Sequence, residues 1–385
     1  MRNFWCVFAL LLPACSNSNS SGDPSEVGGS AGSTNSTAGQ SANGGSTSTD
    51  GGTSNGGNTT DGGTSGATGG GSVGGTQVIS GECDLPAPST SGVAKPSGTP
   101  GDLTIIPWAG FKGAASYTFD DANTSQIEHY SELQALGVRM TFYLYTGKSA
   151  ASNAIWAQAV KDGHELGNHT KSHLQTATEA DIDAATDFIK TKFGVTPYTM
   201  AAPYGDSSYV ALAKPRFMIN RGVSNALITP TSTANPFNLP CYIPPTGAKA
   251  TAFNAQMDTA ASQGGWRVVL VHGFTGGTDG AYQPVDIAEF TAGVTYAKDL
   301  GLWVDSVVNV GAYWIARKLL AAATPTTTGD EKTWSWTLPS NFPPGKCLRI
   351  QVPGGTVKQN GKALEWDDHG YYQIALDYGS VTVSP

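Results

Sequence analysis

From about Ile105 to Ala321 apolar strand-like runs alternate with amphipathic helical ones, and this alternation leaves the chain few folds to adopt. Ala115–Phe119 reads as a strand, Ile127–Leu136 as a helix and Val138–Tyr145 as a strand, followed by helices at Ile155–Lys161 and Asp181–Phe193. Tyr198–Ala202, Phe217–Ile219 and Val268–Val271 read as further strands, Val285–Leu300 as a long helix, Leu302–Val304 as a short strand and Val310–Leu320 as a closing helix. The pattern predicts an α/β fold with a mostly parallel sheet or barrel. In such folds functional residues sit at the C-terminal ends of the strands.

The flanks have a different texture. After Ala323 a linker at Pro325–Gly329 leads into period-two alternation broken by Gly, Pro and Asn-Gly turns. Asn360-Gly361 marks a hairpin between Thr356–Lys358 and Ala363–Trp366, so residues 324–385 are expected to form a small all-β, sandwich-like domain. Its Trp334, Trp336, Trp366, Tyr371 and Tyr372 could offer a sugar-stacking face, although such aromatics more often fill a core. Residues 16–80 are dominated by Gly, Ser, Thr, Asn and Ala, with no aromatic residue, and have too little apolar surface to offset the entropy of ordering. They read as a disordered tether. That assigns 81–323 to the main α/β domain.

Residues 1–15 read as an export signal: Arg2, a short apolar run from Phe4 to Leu12, then Leu12-Pro13-Ala14-Cys15. The small residue before Cys15 resembles a bacterial lipoprotein cleavage site, which would leave Cys15 lipidated as the sole membrane anchor; the alternative is plain secretion with cleavage nearby. The expected location is therefore the cell envelope (outer membrane or cell surface) or the medium. Net charge is −8, which argues against a nucleic-acid partner. Cys83, Cys241 and Cys347 remain beyond the signal, in no metal-binding spacing. One disulfide is expected in an exported protein; Cys241–Cys347 would tie the main body to the C-terminal segment, but spacing does not fix the pairing.

Three motifs carry chemistry. Tyr117-Thr118-Phe119-Asp120-Asp121 sets two adjacent carboxylates at a strand end, where their charges repel. A divalent cation would resolve the conflict by ligating one and leaving the other as a base, while a solvated turn or helix cap is the plainer account. His169-Thr170-Lys171-Ser172-His173 spaces two imidazoles by four, which would place both on one face of a helical turn. Together with the carboxylates this makes two nitrogens and an oxygen, a set that leaves positions open for water and substrate. Ala202-Pro203-Tyr204-Gly205 follows a strand as a restrained turn able to present a backbone N–H, and Val268–Val271 ends in His272, suited to general acid work.

In this order, from TFDD through HxxxH and the Pro-Tyr-Gly turn to a strand ending in His, the motifs resemble the polysaccharide deacetylase family, the NodB-homology domain of carbohydrate esterase family 4, over roughly residues 112–321. The resemblance implies a distorted (β/α) barrel that removes acetyl groups from N- or O-acetylated glycans. It implies Asp120 as general base and Asp121, His169 and His173 as ligands of a divalent metal, usually Zn2+. It further implies the Tyr204 backbone N–H as oxyanion donor, His272 as the acid for the leaving group, and an activated water as nucleophile. The family places an Arg two residues before the motif's Pro to pair with the base, where this chain has Ala201. Arg221, at the end of the next strand, is expected to take over that pairing. Pro203 and Trp303 are expected to wall the acetyl pocket, and the loop Thr229–Ala248 to shape the groove.

Two other readings compete. His272-Gly273 resembles the oxyanion loop of α/β-hydrolases, but GxSxG occurs only around Ser30, Ser54 and Ser72, inside the tether. A non-catalytic glycan-binding protein on the same fold would explain the missing Arg, but not the retention of Asp120 and His272 together.

Overall fold

The computed structural model describes residues 83–385; the export signal, Cys15 and the linker at 16–80 lie outside the described residues. The chain first forms β1 (Thr104–Ile105) and then seven strands of one parallel sheet. These are β2 (Ala114–Phe119), β3 (Thr141–Leu144), β4 (Glu165–Asn168), β5 (Thr199–Ala201), β6 (Ile219–Arg221), β7 (Trp266–Val271) and β8 (Trp303–Val304). They are ordered β6-β5-β4-β3-β2-β7, with β8 also paired to the start of β2. β2 and β7 are buried along their whole length, as expected of apolar strands covered on both faces.

The sheet curls until its edges nearly meet, and a loop closes the gap. Leu239 exchanges hydrogen bonds with Asn220 and Gly222 beside β6, and Tyr242 does so with Val268 and Leu270 of β7. The segment expected only to shape the groove thus also seals the barrel wall. Helices Ala250–Gln263 and Ile287–Asp299 cover β2 and β7, with Phe253 and Phe290 buried between. Gly293 lets them approach, since a Cβ there would lie 2.6 Å from that of Phe253. Each such buried aromatic contributes about 2 kcal/mol of apolar burial.

The C-terminal residues form two antiparallel sheets. β9 (Thr326–Thr328), β10 (Glu331–Ser335), β12 (Thr356–Gln359), β13 (Lys362–Ala363) and β15 (Ser380–Ser384) make a five-stranded one. β11 (Cys347–Gln351) and β14 (Tyr372–Ala375) make a three-stranded one with β1. Asn360 and Gly361 both take positive φ, as the expected hairpin requires. Trp334 and Tyr372 are buried in a core shared with Trp266, Trp303 and Trp314 of the α/β part, and Tyr371 is buried beneath the Arg349 guanidinium. Trp336 and Trp366 spend their indole N–H groups on Leu376 O and Val93 O, so these aromatics serve packing.

Several expectations need correction. The helix expected over Ile127–Leu136 is two short ones, Thr124–Glu128 and Tyr130–Ala135, broken at His129. The strand expected at Phe217–Ile219 runs instead from Ile219 to Arg221. Cys347 is bonded to Cys83, 264 residues away, and Cys241 is a buried free thiol. Among the described residues no helix is long and apolar enough to cross a membrane.

Candidate active site

Register builds the site. Phe119 pairs with Val271, so the residues that follow, Asp120 and His272, emerge side by side at the C-terminal rim. Ala201 pairs with Arg221, and His169 follows β4 on the same rim. A cavity of about 490 Å³ opens there, lined by Asp120, Asp121, His169, His173, Arg221 and His272 among others.

The backbone bends sharply to do this. Asp121, Ala122, Thr170, His173 and Tyr204 all take positive φ, costing about 1–2 kcal/mol each. Side chains hold these bends. Gln126 donates to Asp120 O and His272 O, and Asn123 also donates to His272 O while accepting from Lys148. Asn168 accepts from Thr170 N–H, whose hydroxyl accepts from His173 N–H, and Asp181 accepts from Ser172 N–H. The His169–His173 segment is therefore a braced loop, not the helical turn expected from its spacing. Positive φ at Thr170 and His173 rules out a helix there and still turns both imidazoles to one point.

His169 Nδ1–H donates to Ala201 O at 2.8 Å, which leaves its Nε2 lone pair facing Asp121 Oδ1 at 3.5 Å and Asp120 Oδ2 at 3.6 Å. His173 Nε2 stands 3.5 Å from Asp121 Oδ1. Lone pairs and carboxylates do not gather this way without a proton or a cation between them. Burial works against charge on His169, but Asp120, Asp121 and the Ala201 carbonyl outweigh it and raise its pKa. Burial, then the neighbouring His169, push His173 down to about 4. Burial also opposes charge on Asp121, but its contact with His169 and the nearby charges of His169, Lys148 and His272 hold it far below the carboxylate range. One imidazole thus attracts a proton while the next repels it, and a divalent cation satisfies all three donors at once. Asp121, His169 and His173 fit such an ion in type and placement.

Asp120 is buried, and its two oxygens differ. Oδ2 accepts from Arg221, itself fully buried, and Oδ1 has no hydrogen-bond partner. Burial opposes the guanidinium charge, but the Asp120 carboxylate keeps Arg221 firmly protonated. His272 Nδ1 is also buried without a partner, and burial lowers its pKa below 6.5. Pro203 opens the turn that carries Tyr204 to the cavity edge.

Trp303 does not belong to the site. β8 pairs with Ala114 and Ala115 at the opposite end of β2, and the Trp303 indole donates to Asp305 within the core. Ile243, from the loop Thr229–Ala248 expected to shape the groove, lines the cavity wall; sequence reasoning missed Tyr282 and Val223 there, and the nearness of Tyr282 to His272 in sequence was the only signal for it.

A curled parallel sheet with a cation-shaped donor set, an open buried carboxylate and an open buried imidazole at its C-terminal rim carries the equipment of a hydrolase. Residues 111–216 match the family model described as polysaccharide deacetylase. Among solved structures the chain is similar to a family 4 acetyl xylan esterase from Clostridium thermocellum in complex with a cobalt ion, at 17% identity and TM-score 0.36, covering 51% of this chain and 89% of that one. It is similar to a polysaccharide deacetylase from Bacillus cereus (16%, TM-score 0.36, 50% and 91%). It is also similar to a peptidoglycan deacetylase from Bacillus subtilis (17%, TM-score 0.34, 54% and 93%). No curated protein matches the chain.

Proposed function

We propose that the protein is a metal-dependent hydrolase that removes acetyl groups from an N- or O-acetylated polysaccharide. The observation that carries this is the meeting, at one rim, of three cation-directed donors with an open Asp120 Oδ1 and an open His272 Nδ1. A divalent cation held by Asp121, His169 and His173, most naturally zinc given two imidazoles and a carboxylate, would supply Lewis-acid polarisation of the acetyl carbonyl.

The chain's own groups do the rest. Arg221 fixes Asp120 through Oδ2, which leaves Oδ1 to take the proton of the attacking water. The Tyr204 N–H donates to the acetyl oxygen as negative charge develops on it. His272 protonates the departing sugar nitrogen or oxygen; with its pKa held below 6.5 by burial, its charged form gives up the proton readily. A glycan-binding protein would have no use for these open atoms, each of which costs about 1–3 kcal/mol to bury unpaired.

The protein is proposed to act outside the cytoplasm, as a lipoprotein anchored at Cys15 or as a secreted enzyme. The Cys83–Cys347 disulfide supports an oxidising compartment. The test is acetate release from a panel of N- and O-acetylated glycans. Release from at least one class is expected, and release from none, with divalent ions supplied, would overturn the proposal.

A further inference from the structure

The four exposed large hydrophobic side chains among the described residues are Leu174, Tyr204, Val223 and Tyr282. Three of them line the catalytic cavity, and Leu174 directly follows His173. Large apolar side chains left in water together at one rim mark a binding surface. The two tyrosines stand on different histidines. Tyr204 meets His173 edge-on at 4.7 Å between ring centroids, and Tyr282 meets His272 edge-on at 5.3 Å.

Tyr282 is 60% exposed, yet its loop is pinned. Phe274 bridges to Val285, Thr275 N–H donates to Val285 O at 2.9 Å, and Val285 N–H donates to Gly273 O. Inside the loop Asp279 accepts from Ser125 N–H at 2.7 Å, and Phe274 N–H donates to Ser125 Oγ. Gly273 lets the loop lie this close, since a Cβ there would sit 2.6 Å from Ser125 Oγ. Opposite, Val223 packs onto Gly205, where a Cβ would meet Val223 Cγ2 at 2.3 Å, so that side of the rim is also held. A rigid, water-facing aromatic has already lost the freedom that binding would otherwise cost. Apart from Asp120, Asp121, the histidines and Arg221, the cavity lining is uncharged.

Building on the deacetylase reading, we propose that Tyr282 is the specificity-determining residue of the site. It stacks on the neutral pyranose next to the acetylated one, on the His272 side, while the Tyr204 ring takes the sugar on the His173 side. The protein therefore acts on internal residues of an uncharged acetylated glycan chain, not on single sugars.

The test compares acetate release from mono-, di- and tetrasaccharides of N-acetylglucosamine, from O-acetylated xylo-oligosaccharides of the same lengths, and from 4-nitrophenyl acetate. Acetylated oligogalacturonides serve as the acidic control. Activity per molecule is expected to rise about tenfold or more from mono- to tetrasaccharide in whichever neutral series is turned over, with the acidic series poorer. Tyr282→Ala should lose about tenfold on the tetrasaccharide, mostly in KM, and distinctly less on 4-nitrophenyl acetate. Tyr282→Phe should restore the tetrasaccharide value, because a ring face and not a hydroxyl is at work. Equal activity on mono- and tetrasaccharide, an unaffected Tyr282→Ala, an equal loss in Tyr282→Phe, or equal turnover of the acidic series would each overturn the proposal and leave the deacetylase reading standing. No acetate from any substrate would instead sink the reading it rests on.

Discussion

Where β3, β4 and β5 begin, Glu165 is buried and its carboxylate accepts from Thr141 Oγ1, Thr199 Oγ1 and Val308 N–H. Asp305, buried nearby, accepts from Arg139, the Trp303 indole, Ser306 N–H and Asn309. At the other end of the same sheet Asp120 is as deeply buried, but one of its oxygens has no partner, and His272 Nδ1 has none either. The first end uses charge to fix the start of helix Val307–Ala322 against the strands. The second leaves a carboxylate oxygen and an imidazole nitrogen without partners at the rim of the cavity. Between these carboxylates, saturation goes with the end that fixes the helix and incompleteness with the end that borders the cavity.

Substitutions at the two ends should therefore fail differently. Asp120→Asn should lower kcat by about 10²–10⁴-fold, since it removes the base, and should cost less stability than Asp305→Ala because the amide oxygen can still accept from Arg221. Kinetics beside thermal unfolding check this; a collapse of stability with little change in kcat would erase the contrast. Asp305→Ala should do the reverse, costing about 3–5 kcal/mol in denaturant unfolding by taking the acceptor from the buried Trp303 indole, Ser306 N–H and Asn309 and one of two carboxylate partners from Arg139, with near-normal kcat for the folded fraction.

The stabilising end should also carry a pH signature. His164 accepts from Met140 N–H through Nδ1 and binds Gln134 through Nε2, so only the neutral ring fits, and burial lowers its pKa to about 4 from 6.5. The unfolded chain then binds the proton more readily. Stability from this group is full above about pH 6.5 and is lost as pH falls towards 4, by up to ~3 kcal/mol. His164→Gln should flatten that slope in unfolding titrations, and an unchanged slope would place its origin elsewhere. The smallest effect is expected at the working end. Arg221→Met frees Asp120 Oδ2 from its guanidinium partner and should lower kcat by about tenfold while KM stays within about twofold. An unchanged kcat would reduce Arg221 to packing.

How far the sequence spoke follows the same divide. Strand–helix alternation announced the parallel sheet, and because strands end where functional residues begin, Asp120, Asp121, His169 and His272 were legible by position as well as by type. Arg221 was legible for that reason too, two residues beyond where its strand was expected to end. What failed was information held in φ angles and offsets. The His169–His173 spacing fits a helix or a braced loop equally well, and the brace comes from Asn168, Thr170 and Asp181. Trp303 was misplaced because β8 pairs with the start of β2, an offset that apolar patterning does not encode. The Cys83–Cys347 pairing spans 264 residues and depends on how β1 and β11 come together.

The most direct test of the central claim is acetate release from an acetylated glycan oligomer by metal-stripped protein, measured before and after stoichiometric Zn2+ or Co2+ is added back. Background release before addition and recovery after it are expected, with no recovery in His169→Ala. Full activity in the stripped protein, or equal recovery in that variant, would contradict the account.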